Sequence, residues 1–199
     1  MNLPNKISLT RICMIPVFIA VFFLDGVLPY NYAIAAAIFA VAACTDFIDG
    51  HIARSRGLVT NLGKFLDPIA DKVLVAAAMI LLLTMQGSLF LPLGNAAEGI
   101  YIATAVCICL ILARELIISA FRQIAATNGI VMAAEKLGKY KTACQDVSIT
   151  VLLAAADIPA KAGEIVSWIG LGLFAVATIL TVWSGISYVV KHKHVLKDA

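Results

Sequence analysis

Asp46-Phe47-Ile48-Asp49-Gly50-His51-Ile52-Ala53-Arg54 and, eight residues on, Gly63-Lys64-Phe65-Leu66-Asp67-Pro68-Ile69-Ala70-Asp71 place four carboxylates between two uncharged apolar runs, 26–45 and 73–97. Each run can supply the roughly 20 apolar residues that a membrane helix needs. The stretch between them is too short for a domain, so the reading is two antiparallel membrane helices that meet at a polar hairpin. Asp46 and Asp49 are three residues apart, and Asp67 and Asp71 four apart. Both spacings put side chains on one helix face. Four ionised carboxylates on facing helices repel one another, so either some are protonated or cations lie among them. Oxygen donors in that number suit hard divalent ions such as Mg²⁺ or Mn²⁺.

The rest of the chain extends this pattern. Of its 199 residues 62% are hydrophobic and 14% charged, and the mean hydropathy is +0.98. Soluble domains carry about 25% charged residues; the apolar excess calls for a lipid-facing surface. Six helices are expected, at 7–28, 31–54, 64–86, 98–126, 140–157 and 163–190. The runs 12–24, 99–113 and 147–156 are short for spans, but each meets its charges at the same end of the bilayer. Those helix ends are read as the lining of a polar cavity. Turn residues mark the opposite side at Asp25-Gly26 to Pro29, Gln86-Gly87 to Asn95, and Asp157 to Gly163. No small-x-small cleavage site follows the first apolar run, so that run is expected to persist as a helix. The five cysteines (Cys13, Cys44, Cys107, Cys109, Cys144) form no CxxC pair and are expected to pack in the interior without disulfides or zinc.

Every basic residue except Lys161 falls on the side of the acidic hairpin. By the positive-inside rule that side is the cytoplasm. The expected fold is therefore all-α: one polytopic membrane domain over 1–199, in a bacterial inner membrane, with six transmembrane helices. Both termini and a polar cavity open to the cytoplasm. Intramembrane acids are functional by default. A cation transporter is one way to use them, but these four cluster at one helix junction with none deep in the opposite leaflet. A two-metal centre for displacement at phosphorus is the economical reading. Gly50 and Ala53 keep the helix surface small so that a phosphate can approach, and Arg54 offers a guanidinium fork to it.

The string from Asp46 to Asp71 resembles the signature of the CDP-alcohol phosphatidyltransferase family, with every fixed position present. Leu3-Pro4-Asn5-Lys6-Ile7-Ser8-Leu9-Thr10-Arg11 resembles that family's short N-terminal amphipathic segment. Phe65 to Lys72, Arg114-Glu115-Leu116-Ile117-Ile118-Ser119-Ala120-Phe121-Arg122, and Gly138-Lys139-Tyr140-Lys141-Thr142 with Gln145 resemble the branch that joins CDP-diacylglycerol to glycerol 3-phosphate and releases CMP. The resemblance implies that Asp46, Asp49, Asp67 and Asp71 hold two divalent cations, with Asp71 also the general base. It implies a nucleotide pocket at Asn5, Ser8, Asp49, Gly50, Ala53, Arg54 and Thr60. It further implies a homodimer within membrane lipid and no nucleic-acid partner. A dianionic acceptor needs basic residues, and the candidates are Arg114, Arg122, Lys136, Lys139 and Lys141. Arg114 stands out because it follows the uncharged run 99–113, where an unpaired guanidinium is costly.

Overall fold

The computed structural model describes residues 3–56, 61–127 and 136–192, with side chains described at 9–45, 69–125, 138–159 and 161–192. Among these residues the secondary structure is helical, with no strand. The α-helices are α1 (Leu3–Phe22), α2 (Asn31–Arg56), α3 (Asn61–Thr84), α4 (Ala97–Thr127), α5 (Lys136–Ala155) and α6 (Ala160–Lys191). A π-helical turn (Gln86–Phe90) and a 3₁₀ turn (Leu91–Ala96) connect α3 to α4. The N-terminal segment, expected as a separate amphipathic element, is continuous with the first helix. That helix also ends at Phe22 rather than near residue 28. The chain then turns over Asp25-Gly26, with Gly26 at φ 76°.

Helical periodicity sets the packing. On α2 the buried positions include Ala35, Ala36, Phe39 and Ala42; on α3 they include Ala70, Leu74, Ala78 and Leu82. These recur every three or four residues, as one buried stripe requires. α1 packs on α2 and α3, α2 on α5, and α6 on both α4 and α5. The ring centroids of Phe18 (α1) and Phe39 (α2) are 6.0 Å apart, and those of Phe90 and Tyr101 5.5 Å in an edge-on pair. The α5–α6 contact is tight. A Cβ on Gly170 would sit 2.7 Å from Leu152 Cδ2, so a side chain there would force the helices apart.

The outward faces are apolar. Val17, Val41, Ile80, Ile102, Val106, Leu116, Ile179, Trp183 and Ile186 are all exposed. Such a surface is costly in water and natural in lipid. Two helical stretches, Gln86–Ala125 and Lys161–Lys191, are long and apolar enough to cross a membrane, while Leu9–Phe22 and Asn31–Thr45 are apolar but shorter. The cysteines are free, as expected, but Cys13, Cys44 and Cys109 are exposed rather than packed in the interior. They lie on the apolar outer face, where a small, weakly polar thiol is compatible with lipid.

The end of the bundle away from the acidic hairpin is held by two polar clamps. Asn31 Nδ2 donates to the Phe22 carbonyl at 2.8 Å, satisfying an end-group of α1. The Ala33 amide donates to Asp157 Oδ2 at 2.6 Å, so a carboxylate from the α5–α6 connection caps the N-terminus of α2. Asp157→Ala is expected to cost about 1 kcal/mol. In detergent this should read as a melting temperature lower by about 2–4 °C. Specific activity of the folded fraction should not change, because Asp157 and the acidic hairpin occupy opposite ends of α2.

Candidate active site

The backbone carries the acidic hairpin as the sequence pattern requires. Positions 46, 49, 50, 53 and 54 lie within α2, and 67 and 71 within α3. Both carboxylate pairs therefore have the helical spacing that shares a face, and α2 and α3 are in contact. The side chains of Asp46, Asp49, Gly50, Ala53, Arg54 and Asp67 lie outside the described residues, as do those of Asn5, Ser8 and Lys136 and the whole of Thr60. Asp71 is described and half-buried, next to the fully buried Ala70. Among the described residues no three His, Cys, Asp or Glu side chains form a cluster. Aspartate carboxylates offer only oxygen donors, and that chemistry fits hard divalent cations.

One residue past Asp71 a polar network begins that ties four helices together. Lys72 Nζ (α3) donates to Ser119 Oγ (α4). Ser119 in turn donates to the Glu115 carbonyl, one turn back, at 2.5 Å. The Glu115 carboxylate Oε1 accepts from Arg114 Nη1 at 3.0 Å and from Lys141 Nζ of α5. Arg114 Nη2 donates to Ser184 Oγ of α6 at 2.9 Å. Lys141 is only 5% exposed. A cation so buried needs a counter-charge, and Glu115 supplies it. The charges of Lys141, Arg114 and Lys72 all bear on that single carboxylate. Three basic side chains thus converge on one carboxylate.

α5 carries a buried polar stripe, Lys141, Gln145 and Ser148, at helical spacing. Gln145 Nε2 lies 3.8 Å from Met79 Sδ, and its Oε1 is buried without a hydrogen-bond partner among the described residues. Of the basic residues singled out from the sequence, the network joins Arg114 and Lys141. Arg122 instead lies over the Tyr188 ring, its guanidinium carbon 5.2 Å from the centroid and its Nε 3.3 Å from the hydroxyl. Lys139 is exposed. Sequence reasoning did not single out Lys72 as a bridge to α4, or Ser119, Ser184 and Gly185. Ser119 had a readable signal, four residues after Glu115 on the same face; the α6 pair had none. A cleft of about 350 Å³ lined in part by Ser88, Ile158, Glu164 and Ser167 opens at the other end of the bundle and contains none of these groups.

Comparison with known proteins bears on this arrangement. The family model for CDP-alcohol phosphatidyltransferase matches residues 1–183. A CDP-diacylglycerol–glycerol-3-phosphate 3-phosphatidyltransferase of Bacillus subtilis (strain 168) is 37% identical over 210 residues, covering 100% of this chain and 98% of the relative. A protein of the same name from Shigella flexneri is 39% identical over 189 residues, covering 94% and 92%. A cardiolipin synthase (CMP-forming) of Oryza sativa subsp. japonica is 35% identical over 195 residues, covering 96% of this chain; the chain spans 57% of that relative's length. With aspartates at helical spacing on adjoining helices, a cluster of basic side chains that begins one residue past the last of them, and a family match over nearly all of its length, the chain belongs to the CDP-alcohol phosphatidyltransferase family.

Proposed function

We propose that this protein transfers the phosphatidyl group of CDP-diacylglycerol to glycerol 3-phosphate, giving phosphatidylglycerophosphate and CMP. The observation that carries the acceptor assignment is the Arg114–Glu115–Lys141 cluster with Lys72 beside it, whose three convergent cations suit a compact phosphate dianion. Two relatives that carry this activity in their names match almost end to end. A second reading, a lipid alcohol as acceptor, draws on the similarity to the rice cardiolipin synthase. A buried lysine paired into a basic cluster suits a small phosphomonoester better than a bulky lipid.

In this reading Asp46, Asp49, Asp67 and Asp71 hold two Mg²⁺ or Mn²⁺ ions. Bound there, the cations offset the charge of the pyrophosphate and of the departing CMP. Gly50, Ala53, Arg54 and Thr60, with Asn5, Ser8 and Asp49, hold the CDP-diacylglycerol headgroup. Arg114 and Lys141 orient the acceptor, with Arg122, Lys136 and Lys139 drawing it in. Asp71 accepts the proton as the acceptor hydroxyl attacks the phosphorus next to the diacylglycerol. The P–O bond to CMP breaks as the new one forms, with no covalent enzyme intermediate.

The apolar exterior and the one-sided distribution of basic residues support a single domain with six spans in a bacterial inner membrane, the cavity facing the cytoplasm. Small residues on α6 permit a homodimer within the lipid. The test is CMP release by purified protein in detergent with CDP-diacylglycerol, Mg²⁺ or Mn²⁺, and a panel of acceptors. Release with glycerol 3-phosphate, abolished by a chelator and restored by the cation, is expected. Release only with phosphatidylglycerol would establish the lipid-acceptor reading instead.

A further inference from the structure

Arg114 is held from three sides, and two of them belong to α6. Its stem runs along Gly185: a Cβ there would lie 2.8 Å from Arg114 Cγ, 3.1 Å from Nε and 3.5 Å from Cδ. Three successive atoms of the stem thus occupy the space that any other residue would fill. Ser184, the preceding residue, accepts from Nη2 at 2.9 Å. Its own hydroxyl donates to the Thr181 carbonyl at 3.1 Å. A serine hydroxyl has one proton. With that proton on Thr181, its lone pairs are left to face the guanidinium, so the polarity of the contact is fixed. Glu115 holds Nη1 on the third side.

These contacts use two of the five N–H donors that a guanidinium carries, one on each terminal nitrogen. A second N–H on each terminal nitrogen stays available as a fork, and the side chain retains 15% exposure, enough for a ligand to reach it. The geometry points to Ser184 and Gly185 as positioning residues for the acceptor: the α6 notch and the hydroxyl beside it determine where Arg114 presents its fork to the phosphate. This rests on the reading of Arg114 as an acceptor-phosphate ligand. Neither α6 residue touches the acceptor; both act through Arg114. A Cβ at Gly185 displaces the stem by several tenths of an ångström and tilts the fork away from its partner. Loss of the Ser184 hydroxyl leaves the guanidinium held by Glu115 alone, free to swing about that contact.

The test is a double-mutant cycle read as KM for glycerol 3-phosphate and, separately, for CDP-diacylglycerol. Gly185→Ala is expected to raise KM for glycerol 3-phosphate about tenfold, with KM for CDP-diacylglycerol and the melting temperature little changed. In an Arg114→Ala background the same substitution should add nothing, because the group it displaces is gone. Ser184→Ala should give a smaller rise in the same KM, and Ser184→Thr, which keeps the hydroxyl, should restore it. These serine variants carry the test if Gly185→Ala fails to fold. Two results would overturn the assignment while leaving the acceptor reading intact: Arg114→Ala raises the acceptor KM but Gly185→Ala and Ser184→Ala do not, or their effects persist in the Arg114→Ala background. If Arg114→Ala leaves the acceptor KM unchanged, the acceptor reading fails and the positioning role falls with it.

Discussion

Asp71→Asn is expected to lower CMP release by roughly 10³-fold or more, in protein that keeps its helix content, elution volume and melting temperature. The substitution is nearly isosteric, so the packing of α3 around Ala70 and Leu74, both almost fully buried, has no reason to change. What changes is chemistry. An amide cannot take a proton from an attacking hydroxyl, and it brings no negative charge to a site that would hold cations. In the proposed mechanism Asp71 meets both demands. It is the last member of the acidic set, and the next residue, Lys72, ties α3 to Ser119 of α4. Folded Asp71→Asn protein with more than about a tenth of wild-type turnover would remove the base from this position, since proton transfer by a positioned base contributes about 10²–10⁴-fold.

The acidic hairpin was legible because its information is local. The three- and four-residue spacings of the aspartates become a shared face once the backbone is helical, and α2 and α3 are helical at those positions. Long apolar elements were also legible: a helix expected at 98–126 is Ala97–Thr127, and one at 163–190 is Ala160–Lys191. Ends near breakers were less so. The fifth helix was expected from 140, yet α5 begins at Lys136 and takes Gly138 into its first turn. A glycine in a first turn costs only about 1 kcal/mol relative to alanine, and tertiary packing easily offsets that. Glu115, the next residue along the chain, was a readable partner for Arg114; the α6 partner was not. Ser184 is 70 residues away and Ser119 is 47 from Lys72, and which residues of α4 face α6 depends on how the two helices cross. The acceptor pocket was expected as a set of five cations. The structure adds what a count of charges cannot supply, the carboxylate of Glu115 that holds two of them together.

Arg114→Ala is expected to raise KM for glycerol 3-phosphate about a hundredfold, the usual scale for truncating one partner of a buried charged contact. KM for CDP-diacylglycerol should move by no more than about threefold, within the scatter of indirect effects on a separate subsite. The protein should still fold, and the reason lies in which charge is left behind. Without Arg114, the Glu115 carboxylate keeps Lys141 as its partner, so no buried charge is orphaned. Removing Glu115 instead would strand Lys141 at 5% exposure, and losing one member of a buried pair costs about 3–5 kcal/mol. Arg114 is thus the member of the cluster whose loss separates binding from stability. Arg114→Lys should recover only part of the binding, because an ammonium is a point charge that cannot present two N–H groups to a phosphate at once. A larger rise in KM for CDP-diacylglycerol than for the acceptor would move Arg114 to the nucleotide side and leave Lys141 and Lys72 as the acceptor's cations.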